Sequence, residues 1–76
     1  MEHIGKAIKE ELERQERSVA WFARQLSCDR SNVYRIFQKK SIDTHLLIRI
    51  CIILRHDFFV ELSQEYKIAI SATQMM

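Results

Sequence analysis

Three observations predict an all-α domain. Apolar residues recur at three- and four-residue spacing along most of the chain. The 76 residues hold no proline and one glycine, which disfavours turn-rich β architectures. Residues that cap helices, Ser18, Asp29, Asp43 and Asp57, stand just ahead of the apolar stripes. A chain of this length has room for one core, and 47% hydrophobic with 29% charged residues excludes a disordered one. The expected architecture is a compact five-helix domain over residues 1–66, followed by a C-terminal tail at 67–76.

Ile4, Ala7, Ile8 and Leu12 form the stripe of a first helix over about residues 2–15, with Lys6, Lys9, Glu10, Glu13 and Arg14 on its outer side. Gly5, near its start, costs up to about 1 kcal/mol relative to alanine. Ser18 caps a short second helix that buries Val19, Phe22, Ala23 and Leu26. Ser27, Cys28 and Asp29 then break the pattern, and Asp29 caps a third helix burying Val33, Ile36 and Phe37. Ser41 or Asp43 caps a fourth helix to about Leu54, whose stripe is Leu46, Leu47, Ile50, Cys51 and Leu54. Arg55 and His56 end it with cationic groups at the negative end of the helix dipole. Asp57 caps a short fifth helix holding Phe58, Phe59, Leu62 and Tyr66. Residues 67–73 fit a short strand, a frayed tail or a helix extension equally well.

Several function classes are disfavoured. No apolar run approaches the roughly 20 residues that cross a bilayer, and residues 1–6 lack the basic start and apolar stretch of a signal peptide, so a cytoplasmic location is expected. Cys28 and Cys51 lack the close spacing of zinc or redox pairs and read as small hydrophobes. His3, His45 and His56 share no ligand spacing and read as surface residues. There is no glycine-rich phosphate loop, nucleophile elbow or carboxylate pair, so neither enzymatic activity nor a cofactor is expected.

Charge is distributed unevenly. Residues 27–56 carry six basic and two acidic side chains, against five of each in residues 1–26 and one basic with three acidic in residues 57–76. A positive middle suits a face that meets a polyanion. The informative segment runs from Val19 to Gln38, two helices about a tight turn, with the small Ala23 where the backbones approach. The third helix, about 10–12 Å across, fits a major groove about 12 Å wide. Its outward residues suit base edges. Arg30 and Arg35 can each donate a bidentate pair to guanine, Ser31 and Asn32 can bond bases or phosphate, and Tyr34 can pack on a thymine methyl or bond a phosphate. Lys39 and Lys40, just past the helix, would meet phosphates.

This segment resembles the phage-repressor/Cro-like (XRE-type) helix-turn-helix transcriptional regulators over roughly residues 4–62. Ala23, Leu26, the apolar turn residue Cys28, the polar cap Asp29 with Arg30 and Ser31, and Val33 with Ile36 carry the resemblance. It implies a lambda-repressor-like five-helix fold, usually a homodimer on a pseudo-palindromic operator. By the same resemblance Asp29, Arg30, Ser31, Tyr34 and Arg35 are base contacts. Phosphate contacts fall at the start of the second helix, Ser18 or Val19, and after the third, Gln38, Lys39 and Lys40, with Asn32 a further phosphate candidate. The turn position that is often glycine is Ser27 here, at a cost of about 1–2 kcal/mol if the backbone is left-handed there. Trp21 reads as packing rather than a base platform.

The expected function is therefore sequence-specific DNA binding that regulates transcription, with repression the simplest form. Ile48 and Ile52, one turn apart on the outer side of the fourth helix, make a candidate dimer patch with Phe58 and Phe59, the C-terminal tail being the other candidate surface. Two alternatives use the same fold: an antitoxin-type regulator whose tail from Gln64 onward binds a small protein partner, and an interaction module working through Ile48 and Ile52.

Overall fold

The computed structural model describes residues 3–74 and contains five helices: α1 (Ile4–Arg14), α2 (Val19–Leu26), α3 (Arg30–Phe37), α4 (Thr44–Leu54) and α5 (Phe58–Gln74). No strand occurs among the described residues. Side-chain caps set all five starts, and at α5 it is Asp57, expected there, whose Oδ1 accepts from the Phe59 N–H at 2.9 Å. His3 Nδ1 accepts from the Lys6 N–H, Ser18 Oγ from Trp21, Asp29 Oδ1 from Asn32 and Asp43 Oδ1 from Leu46, at 2.8–3.0 Å. Each satisfies an amide that has no partner within its own helix. The capping choice between Ser41 and Asp43 thus falls to Asp43, and α1 starts two residues later than expected; Met1 and Glu2 lie outside the described residues.

Three helices end in the same way, and none uses glycine. Glu16, Ser27 and Arg55 adopt left-handed backbone, φ 57°, 55° and 51°. The following amides, of Arg17, Cys28 and His56, reach back to the carbonyls of Leu12, Ala23 and Cys51 at 3.0–3.1 Å. This is the Schellman closure, in which an L-residue costs about 1–2 kcal/mol where glycine would not. Only the Ser27 instance was legible in the sequence.

The core is Ile4, Ile8 and Leu12 of α1, Phe22, Ala23 and Leu26 of α2, Val33 and Ile36 of α3, Leu47, Ile50 and Leu54 of α4, and Phe58 of α5. Helix α3 packs on both α1 and α2, and α4 packs on α2. Ala23, 4% exposed, stands in the core beside α3 as the predicted small residue. Gly5 has a specific reason. A Cβ there would lie 2.3 Å from the Ile36 carbonyl oxygen and 2.5 Å from that of Phe37, so only glycine lets α1 meet the end of α3. At that junction the Ile4 and Gly5 amides donate to the carbonyls of Lys40 and Lys39 at 3.1 and 2.9 Å.

The fifth helix departs from expectation in its length. It is long rather than short, with 17 residues, and of the three readings open for residues 67–73 the helix extension is the one observed. Tyr66, Ala69, Ile70 and Thr73 fit helical spacing, and no neighbouring strand is present among the described residues to pair with an extended chain. Phe58, assigned to a surface patch, is 1% exposed and belongs to the core, while Phe59 is half-buried against it. Phe58 begins α5 where the helix docks, its ring edge-on to His56 at 4.4 Å. His56 reaches Glu11 near the C-terminal end of α1, whereas Leu62 borders the same small cavity as Ile4 at its N-terminal end. Helix α5 thus runs back along α1 and outlasts it, which gives the molecule its 47 × 20 × 20 Å extents. No helix is long and apolar enough to cross a membrane among the described residues.

Candidate nucleic-acid interface

On a helix with 100° per residue, positions 30, 31, 34, 35 and 38 fall within an arc of about 140°, with 33 and 36 on the other side and 37 at the margin between them. The structure keeps that division. Val33 and Ile36 are buried at 0% and 3% exposure and Phe37 packs partly against the core, while Arg30, Ser31, Tyr34, Arg35 and Gln38 are exposed. Asn32, between the two arcs, is also exposed. Among the described residues the side chains of Arg30 and Arg35 make no hydrogen bond or ion pair, so five N–H donors on each stand ready for a polyanion. Lys39 and Lys40 continue the exposed cationic run past α3, and their carbonyls, held by the α1 amides, set the direction in which the chain leaves.

Three other predicted positions have defined structural work. Asp29 is exposed and its carboxylate caps α3. Ser18 caps α2. Val19 is half-buried, which leaves its backbone rather than its side chain to meet a ligand. Tyr34 is 54% exposed and stands edge-on to Phe37, ring centroids 6.2 Å apart, an arrangement that steadies the phenol at the rim of α3. Trp21 is half-buried against the core, with the Arg17 guanidinium 4.5 Å above its ring.

Two features were missed in the sequence reading. His3, Lys6 and Lys9 of α1 form one wall of an open groove of about 560 Å³ whose other wall is Tyr34, Phe37 and Gln38. The amphipathic pattern placed both lysines outward, and adjacency to α3 is a tertiary fact with no local signal. The second is a polar cluster away from α3. Glu11, 8% exposed, accepts from Arg14 and from Gln15 (2.6 Å), Gln15 also donates to the Leu54 carbonyl at 2.7 Å, and His56 bridges to Glu11 at 3.5 Å and to Glu61 at 2.6 Å. The Arg14 hydrogen bond holds the Glu11 carboxyl below the ordinary glutamate range, helped by Gln15 and His56 and opposed by burial. His56, expected at the surface, is thus half-buried in a link between α1, α4 and α5.

Among the described residues no group of three or more His, Cys, Asp or Glu could hold a metal ion, and Cys28 and Cys51 are free thiols, half-buried against the core. Ile48 and Ile52 of the candidate patch are exposed, 46% and 71%. No family model, curated protein or solved structure matches the chain.

Proposed function

We propose that the chain binds double-stranded DNA sequence-specifically and regulates transcription, in its simplest form by occupying an operator and blocking polymerase. In this reading it belongs with the phage-repressor/Cro-like (XRE-type) regulators: α2 and α3 are the helix-turn-helix of a lambda-repressor-like domain, and α3 enters the major groove. Arg30, Ser31, Tyr34 and Arg35 read base edges, with Asp29 at the helix start. Ser18, the backbone of Val19, Asn32, Gln38, Lys39 and Lys40 meet phosphates. The observation that carries the reading is orientation: α3 buries Val33 and Ile36 and turns two unpaired arginines and a tyrosine outward.

A homodimer completes it. Phe58, Leu62, Tyr66, Ala69 and Thr73 fall within an 80° arc of α5, with Ile70 at its edge. The body covers the first two and leaves Tyr66 and Ile70 exposed at 62% and 38%. A second copy covering this continuation would set two recognition helices about one DNA turn, roughly 34–36 Å, apart. The same stripe would serve the partner of an antitoxin-type regulator. Selection of bound duplexes from a random pool tests the whole reading. A two-fold symmetric motif is expected; a single half-site excludes the homodimer, and failure to enrich any sequence excludes specific DNA binding.

A further inference from the structure

The groove between α1 and α3 has a chemistry that the reading above does not use. Its walls carry Lys6 and Lys9 on one side and the Tyr34 phenol and Gln38 amide on the other, with His3 at one end and the Phe37 ring between them. Among the described residues no carboxylate lines it. Glu10 and Glu13 stand one turn further along α1, and among the described residues neither lysine forms an ion pair. Lys6 and Lys9, three residues apart, are neighbours on the helix surface, and both are exposed. Two like charges held side by side, neither in an ion pair among the described residues, suit a phosphodiester backbone, which presents evenly spaced anions.

The lysines are also held in register with α3. The Ile4 and Gly5 amides are bonded to the Lys40 and Lys39 carbonyls, and the missing Cβ at Gly5 brings the two backbones into contact. Wherever α3 goes, the first two turns of α1 go with it. We infer that the groove between α1 and α3 is a second backbone-phosphate clamp, in which Lys6 and Lys9 neutralise phosphates of the DNA strand bordering α3 on its Tyr34 side. This inference rests on α3 being the helix that enters the major groove. It adds a contact from α1 to those at the start of α2 and after α3, and it gives Tyr34 a neighbouring phosphate to which its hydroxyl can donate.

The test is a salt titration of duplex binding by the full chain, using the best duplex from the selection and an unrelated one. The double variant Lys6→Gln, Lys9→Gln is compared with wild type and with Lys67→Gln, which removes a lysine from the projecting part of α5. Circular dichroism and melting confirm that each variant is folded, as expected for exposed positions. The double variant is expected to flatten the salt slope by about two units. At about 0.1 M salt its affinity should fall roughly 10- to 60-fold on both duplexes, leaving their ratio unchanged. Lys67→Gln should match wild type. A folded double variant with wild-type slope and affinity overturns the clamp while leaving DNA binding by α3 intact. Wild-type protein that binds neither duplex overturns both.

Discussion

Gly5 shows how a single side chain can set the relation between two helices. By helix propensity it is a weak point, worth up to about 1 kcal/mol to an alanine. In the structure it lies against the backbone carbonyls of Ile36 and Phe37, which cannot rotate out of the way as a flexible side chain could. Gly5→Ala is therefore expected to lower stability by about 1–3 kcal/mol despite the better propensity, because the added methyl must push α1 away from α3. Urea unfolding measures it, and a variant as stable as wild type would show that the close approach is dispensable. Ser27 offers the reverse case: its left-handed backbone was anticipated from the turn position, whereas the same geometry at Glu16 and Arg55 was not. Ser27 stands where the resemblance stated for Val19–Gln38 implies a turn, while the other two are ordinary charged residues whose conformation is set by the closing hydrogen bonds of α1 and α4.

At the scale of elements, the stripes and caps of α1 to α4 were legible because local spacing and local hydrogen bonds specify them. The length of α5 was not. Its later turns lie beyond the core, so no buried stripe marks them, and a run alternating isoleucine with small residues satisfies helix and strand patterns alike. The tie between α1, α4 and α5 through Glu11, Gln15 and His56 was not read in the sequence: spacing from Ile4, Ala7 and Ile8 places Glu11 on the buried side of α1, but His56 and the Leu54 carbonyl that Gln15 reaches are about 40 residues away in the chain. That tie has a pH signature. With its folded pKa depressed, Glu11 contributes stability at neutral pH that is fully present above the ordinary glutamate value near 4.5 and is lost as pH falls through the folded value. The melting temperature of wild type should therefore drop more steeply below about pH 4.5 than that of Glu11→Gln, which starts lower at pH 7 by about 1–3 kcal/mol of stability. Parallel melting curves for the two proteins across that range would remove Glu11 from the acid response.

For the whole molecule, the division of labour follows from which helix faces which way. Helices α1 and α2 pack on α3 and α4 packs on α2, so α3 is left with one face of arginine, serine, tyrosine and glutamine turned to solvent. Those outward residues could be named from their spacing alone. Their supporting neighbours Lys6 and Lys9 could not, because the groove is made by residues about 30 apart in the chain. The projecting end of α5 leaves Tyr66 and Ile70 exposed, the surface proposed to take a second copy. In the proposed function the exposed face of α3 touches base edges while Lys39 touches only backbone. Duplex affinities of Arg35→Ala and Lys39→Ala across salt concentrations and sequence variants test it most directly. Arg35→Ala should cost about 1–3 kcal/mol and relax the base preference at one position of the site, whereas Lys39→Ala should weaken every sequence alike and flatten the salt slope by about one unit. Wild-type affinity of both variants for every duplex would contradict it.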